Sequence, residues 1–160
     1  MRHTTLIFML LGASIGLIES CQPADTWEEK TEHYAATNIV SSKYWLKNGK
    51  KDSIMTVFDK NGVKAGELGF KNDQQVGRTV YFYPSGQLRE EQFYVDGKKE
   101  GKVKIWYESG QIQMESDYHN DRINGTFKRW NPDGSLIVET IFANDSLVKV
   151  IYQQPIKPAQ

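Results

Sequence analysis

GRTVYFYPSGQLREEQFYVDGKKE, residues 77–100, divides into two strands and two turns, and it recurs along the chain. Thr79-Val80-Tyr81-Phe82-Tyr83 is rich in aromatic and β-branched side chains, the composition of a pleated, half-buried strand. Pro84-Ser85-Gly86 follows. Proline presets φ for a tight turn, and glycine supplies the positive φ that closes it. A second strand is predicted from Leu88 to Val95, after which Asp96-Gly97, a dipeptide suited to hairpin turns, reverses the chain again. Strand-plus-turn steps of about 12 residues suit a meander in which every strand pairs with the next.

Three further units align with this one without a gap: SIMTVFDKNGVKAGELGFKNDQQV (53–76), GKVKIWYESGQIQMESDYHNDRIN (101–124) and GTFKRWNPDGSLIVETIFANDSLV (125–148). Gly62, Gly86, Gly110 and Gly134 recur every 24 residues, within turns such as Glu108-Ser109-Gly110 and Asn131-Pro132-Asp133-Gly134. Phe58, Phe82, Trp106 and Trp130 keep the same step, as do Phe70, Tyr94, Tyr118 and Phe142. So do Glu67, Glu91, Glu115 and Glu139. Upstream, WLKNGKKD (45–52) matches FYVDGKKE (93–100), and downstream Lys149 to Tyr152 begins another strand. Nine of the 11 glycines after Cys21 fall on three positions of the period.

Twenty-four residues cannot bury a core alone, so the units must stack. The expected fold is all-β: an elongated antiparallel β-meander of hairpin repeats forming an open twisted sheet over residues 45–152. The two aromatic series are expected to form two ladders, with cross-strand pairs each worth about 0.2–1 kcal/mol. Strand alternation sends Tyr81, Tyr83, Ile105 and Tyr107 to the opposite face, which leaves one face or edge as a contact surface.

The ends read differently. Met1, Arg2 and His3 form a basic head, and Thr4 to Ile18 carries no charged side chain. Such a run is too short for the ~20 residues of a spanning helix, so 1–20 reads as a signal peptide. Ile18-Glu19-Ser20-Cys21 resembles the lipobox of bacterial lipoproteins, with Glu19 departing from its small uncharged residues. That resemblance implies lipidation at Cys21, a membrane anchor and a location in the bacterial cell envelope. Gln22 in place of aspartate leans toward the outer membrane. An ordinary secretory signal would export the protein as well. Residues 21–44 are expected to be a tether with a short helix at Thr26 to Ala36, capped by Asp25 or Thr26. Residues 153–160 form a tail in which Pro155, Lys157 and Pro158 would guard the sheet edge.

Composition excludes several classes. Twenty basic residues against 20 acidic give no net charge, which excludes a strongly basic nucleic-acid binder. One cysteine excludes an intrachain disulfide and leaves too few thiols for a structural zinc site. His33 and His119 lie in different segments, Ser85 and Ser109 are turn residues, and no glycine-rich loop precedes a helix. No catalytic residue, metal site or cofactor is therefore expected. The glutamate series reads as a solvated strand face, partly neutralised by Lys98, Lys99, Lys102 and Lys104. Its alternative is a strip for cations or basic ligands. The aromatics read as core, with sugar stacking on Trp106 and Trp130 as the alternative if one face stays open.

Units of the form G-x-x-x-x-[FW]-[YN]-x-x-G-x-[LI]-x-x-E-x-x-[YF]-x-[DN]-G resemble the MORN-type repeat in its bacterial variant, closest to the YwqK-family antitoxins. The match covers about 45–152, with Ser53, Gly66, Gly69 and Asp145 as departures. The resemblance implies a row of β-hairpins and a scaffold or interaction role toward an unnamed protein partner. The antitoxin label would further imply a cognate toxin.

Overall fold

The computed structural model describes residues 24–155, so the signal-peptide stretch, Cys21, Lys157 and Pro158 lie outside the described residues. Thirteen strands lie in one sheet of the described residues: β1 (Trp27–His33), β2 (Val40–Lys47), β3 (Lys50–Phe58), β4 (Lys64–Lys71), β5 (Gln74–Gln75), β6 (Gly77–Phe82), β7 (Leu88–Val95), β8 (Lys98–Lys99), β9 (Gly101–Trp106), β10 (Ile112–His119), β11 (Arg122–Trp130), β12 (Leu136–Ala143) and β13 (Ser146–Gln153). Neighbours in sequence are neighbours in space, β5 and β8 being short additions beside β4 and β7. The sheet is an open antiparallel meander, as the 24-residue period predicts.

Two kinds of turn alternate, each built from the residues that its geometry needs. Gly62, Gly86, Gly110 and Gly134 donate their N–H to the carbonyls of Asp59, Tyr83, Tyr107 and Asn131, and all four have φ between 78 and 85°. This is a type I turn closed by a left-handed glycine, and the register slips by one at Phe58, Phe82 and Trp130 beside it. At the other edge Asn48-Gly49, Asn72-Asp73, Asp96-Gly97, Asn120-Asp121 and Asn144-Asp145 all have positive φ at both residues, the mark of a primed hairpin turn.

Asp73, Asp121 and Asp145 stand where Gly49 and Gly97 would avoid backbone strain. Each gains a compensating pair of bonds to the previous unit. Their Oδ1 atoms accept the N–H of Lys51, Lys99 and Ile123 at 2.7 Å, while their own N–H groups donate to the carbonyls of the same three residues. The departure at Asp145 is thus a clamp between units. Ser53 has no such compensation. It occupies the place of Gly77 and Gly101 with φ of 90°. Ser53→Gly is expected to raise stability by about 0.5–1 kcal/mol, read as a higher urea midpoint with unchanged slope.

The core is thin and partly polar. Thr79, Val80, Gln92, Val103, Ser116 and Thr140 are buried, whereas the large aromatics of the two repeated series are only half-buried. Gly66 and Gly69 inside β4 are packing devices. A Cβ on Gly66 would meet Val80 O at 2.8 Å and the Tyr81 ring at 2.9 Å, and one on Gly69 would meet Val76 O at 2.2 Å.

The helix expected at Thr26 to Ala36 does not form, and the tether is not a tether from Trp27 onward: that stretch is β1, followed by a turn into β2. Two causes outweigh local helix propensity. The segment has no apolar stripe with which a helix could pack, and β2 offers a row of unpaired backbone groups that β1 satisfies from Trp27↔Lys47 to His33↔Val40. Strand geometry also places Lys30 beside Glu28 and brings Ser42 Oγ and Tyr44 Oη onto the Glu32 carboxylate. The sheet therefore begins near residue 27 rather than 45.

The outer edges differ. β1 is edged by charge, WEEKTEH, while β13 exposes Leu147, Val148, Val150, Ile151 and Tyr152. Two register irregularities against β12 break the ladder of β13, and Pro155 follows two residues after its end. Both devices hinder recruitment of a further strand.

Candidate interaction surface

The type I turns and the aromatics beside them build one repeated feature. Between each turn and the next lies an open notch whose floor is an aromatic ring and whose wall is a turn glycine. The first, about 560 Å³, is lined by Ile39, Val40, Phe58 and Gly62, together with Lys43 and Lys60. The second, about 190 Å³, is lined by Val63, Lys64, Phe82 and Gly86. The third, about 340 Å³, is lined by Gln87, Leu88, Trp106 and Gly110, with Ser109. Adding 24 to each of Ile39, Val40, Phe58 and Gly62 gives the second set, and adding 24 again gives the third. The turn glycines and the first aromatic series, singled out by period alone, are thus the lining of one row of equivalent depressions. The notches themselves were not legible, because each forms between residues about 24 apart that only the strand order brings together.

Tyrosine hydroxyls hold neighbouring turns in place. Tyr83 Oη donates to Trp106 O at 2.7 Å and Tyr107 Oη to Trp130 O at 2.8 Å. Tyr34 Oη does the same to Phe58 O at 2.6 Å, and Asn131 Nδ2 reaches Gln154 Oε1 at 3.1 Å at the far end. Each strut fixes the backbone that carries the next floor ring.

The expected aromatic ladders are corrected. Equivalent strands lie two apart, about 9.6 Å, beyond the 4.5–7 Å at which rings pair. The ring pair found among the described residues is Phe127–Phe142, edge-to-face at 6.0 Å. Rings of both series instead meet cations: Lys64 lies 5.2 Å from the Phe82 ring, Lys51 5.6 Å from Phe70 and Lys99 5.5 Å from Tyr118.

The glutamate series is no free carboxylate strip. The register runs Glu67–Val80–Glu91–Lys104–Glu115–Lys128–Glu139 across the sheet, so acid and base alternate through its second half. Lys104 meets Glu115 at 3.6 Å and Lys128 meets Glu139 at 3.0 Å, while Glu67 and Glu91 pair with Lys64 and Arg78. Of the four lysines expected to neutralise the strip, only Lys104 pairs with a member of it. Lys102 binds Asp117 at 2.8 Å instead. Among the described residues no three metal-ligating side chains gather. His119 Nδ1 lies 2.9 Å from Glu100 Oε1, far along the chain from His33.

Two titrating groups report on this packing. Burial alone would raise the Asp117 carboxyl. The Lys102 ammonium, the N–H of Thr126 donating at 2.9 Å and the charge of Lys128 outweigh it and hold the group below the ordinary carboxylate value of 3.8. Its contribution to stability is complete above pH 3.8 and is lost as pH falls through the depressed folded value. Asp117→Asn should flatten that acid arm of a urea-midpoint profile. Burial pushes the Tyr94 phenol up to about 12, helped by the nearby Tyr81, Asp121, Glu90 and Tyr118. A phenol that ionises near 10 unfolded and near 12 folded costs stability as pH rises across that interval. Tyr44, Tyr81 and Tyr118 are shifted upward as well, and ultraviolet phenolate titration should lose its latest-ionising tyrosine in Tyr94→Phe.

The match to known families falls on these hairpins. The MORN repeat variant family model matches residues 75–96, 99–120 and 123–144. Three consecutive repeats between residues 75 and 144 thus match the variant MORN repeat. Residues 53–74 lie outside those matches but share their turns, φ signature and notch, so the same hairpin geometry extends upstream of the matched repeats. No curated protein matches the chain significantly. One solved structure, "Crystal structure of GtfA/B complex bound to UDP and GlcNAc", is similar over 79% of this chain and 24% of that chain, at 11% identity and a TM-score of 0.34. This chain thus spans about a quarter of that chain's length.

Proposed function

We propose that this chain is an exported, lipid-anchored, non-enzymatic interaction module of the bacterial cell envelope, held at the outer membrane through Cys21. The observation that carries the interaction role is the row of equivalent notches, in which an aromatic floor and a glycine wall recur in register. A rigid sheet that repeats one apolar depression offers a partner the same contact several times, so weak single contacts add along the row. The lipobox-like Ile18-Glu19-Ser20-Cys21 supports the anchor. Cys21→Ser should abolish labelling by a clickable fatty acid and release the protein from the membrane fraction; persistence in that fraction overturns the anchor. Recovery of an envelope partner by the wild type, lost in a Phe82→Ser, Trp106→Ser variant with unchanged circular dichroism, tests the interaction role. Recovery that ignores those rings defeats it.

A second reading draws on Trp106 and Trp130, whose half-buried rings suit stacking on sugar. Binding of soluble glycans that is lost in Trp106→Ala, Trp130→Ala would favour it. An immunity role toward a toxin falls within the interaction reading and requires the captured partner to be toxic when expressed alone.

A further inference from the structure

We propose that the notch row is a track for an extended acidic polypeptide in the polyproline II conformation, one apolar side chain seated in each notch. This rests on the interaction reading above and names the class of partner.

Spacing selects the conformation. Equivalent notches are two antiparallel strands apart, about 9.6 Å. A polyproline II helix rises about 3.1 Å per residue with three residues per turn, so every third side chain returns to the same face after about 9.3 Å. An extended β-strand fails this test. Its alternate side chains share a face at about 6.7 Å or 13.4 Å, and the residue three along points away. An α-helix advances about 6 Å over four residues and about 10.5 Å over seven, which leaves an intermediate side chain facing the wall between notches. Across three notches the polyproline II mismatch accumulates to only about 0.6 Å. The lining also suits such a ligand. Flat rings receive prolyl and aliphatic groups, and the glycines leave the approach open. A Cβ on Gly62, Gly86 or Gly110 would meet no atom within 4 Å, so the wall beside each ring is clear.

Charge selects the sign. Lys43 and Lys60 line the first notch, and neither takes part in an ion pair among the described residues. Lys64 lines the second but is held by Glu67, so the free cation there, among the described residues, is Arg89, in the depression beside it. The acid there, Asp59, turns its Oδ1 to the N–H groups of Asn61 and Val63 at 2.8 and 2.9 Å, so one of its two oxygens is engaged within its own turn. The third notch has no ionised side chain in its lining. The acidic end of the ligand therefore lies over the first two notches and its apolar end over Trp106.

The test uses fluorescein-labelled peptides and the full Cys21→Ser chain. The probe (Leu-Pro-Glu)4 places leucine at every third residue. (Leu-Pro-Glu-Glu)3 shifts the period to four, and (Leu-Pro-Lys)4 reverses the charge. Fluorescence anisotropy should show saturable binding of the first, at least about 10-fold tighter than either control, a difference large enough to separate a track from nonspecific attraction. Lys43→Glu with Lys60→Glu should weaken it about 10-fold more. The repeat itself carries glutamate at the equivalent positions 67 and 108, so this variant keeps the fold. Equal binding of the three-residue and four-residue periods overturns the polyproline II assignment. So does binding of a β-1,4-linked N-acetylglucosamine hexamer with none of (Leu-Pro-Glu)4. If (Leu-Pro-Glu)4 fails while an envelope partner is still lost on Phe82→Ser, Trp106→Ser, the ligand class is wrong and the interaction role stands. If partner capture ignores those rings, both fall.

Discussion

Val80→Glu is expected to destabilise the sheet by about 4 kcal/mol, whereas Val80→Lys should cost only about 1–2 kcal/mol. Val80 sits between Glu67 and Glu91 in the cross-strand row and is 2% exposed. A glutamate there would be a buried charge with a carboxylate on either side, and the nearby cations, Lys64 and Arg78, are already held by those two carboxylates. A lysine would continue the alternation of Glu91, Lys104, Glu115, Lys128 and Glu139 and could extend its ammonium toward solvent, as Lys104 does at 35% exposure. Both substitutions remove the same valine, so the difference between them isolates charge order. Urea denaturation of the pair measures it. Equal losses would mean that alternation is incidental and that only the apolar contact of Val80 matters. In a linear array the damage should also spread, because each unit is stabilised mainly by its neighbours.

The second large effect lies in β4. Gly69→Ala should cost about 3 kcal/mol, since its Cβ would stand 2.2 Å from Val76 O and a backbone oxygen cannot swing aside. The bond from Val76 N–H to Gly69 O, 2.9 Å long, is part of the same turn and would be strained with it. Gly77→Ala makes the control. Its Cβ would meet nothing within 4 Å, so only its φ of +68° opposes the change, at about 1–2 kcal/mol. If thermal or urea unfolding ranks the two in the opposite order, close approach is not the reason for glycine at position 69.

Much of the architecture was legible because it is written locally. Turn chemistry acts within four residues, so Pro84-Ser85-Gly86 and Asp96-Gly97 announced their reversals, and repetition of the pattern announced a meander. The positions that line the notches were legible as a period, though not as a surface. β1 was not legible. WEEKTEH has helix-compatible residues, and its strand state comes from the edge of β2, which no local rule weighs. The partners of the glutamates were equally hidden: alternation depends on which strand lies beside which, and in what register.

The sequence by itself determined the 24-residue period, the two turn types, the all-β meander and the aromatic and glycine series. These follow from backbone constraints and strand alternation, which act over a few residues and repeat. Tertiary structure alone decided where the sheet begins, that Glu91 to Glu139 are interleaved with lysines, that Asp73, Asp121 and Asp145 clamp the preceding unit, and that the aromatics floor separate notches instead of stacking. Each of these depends on a residue roughly a unit away, brought within reach by strands about 4.8 Å apart, where distance in space no longer follows distance along the chain.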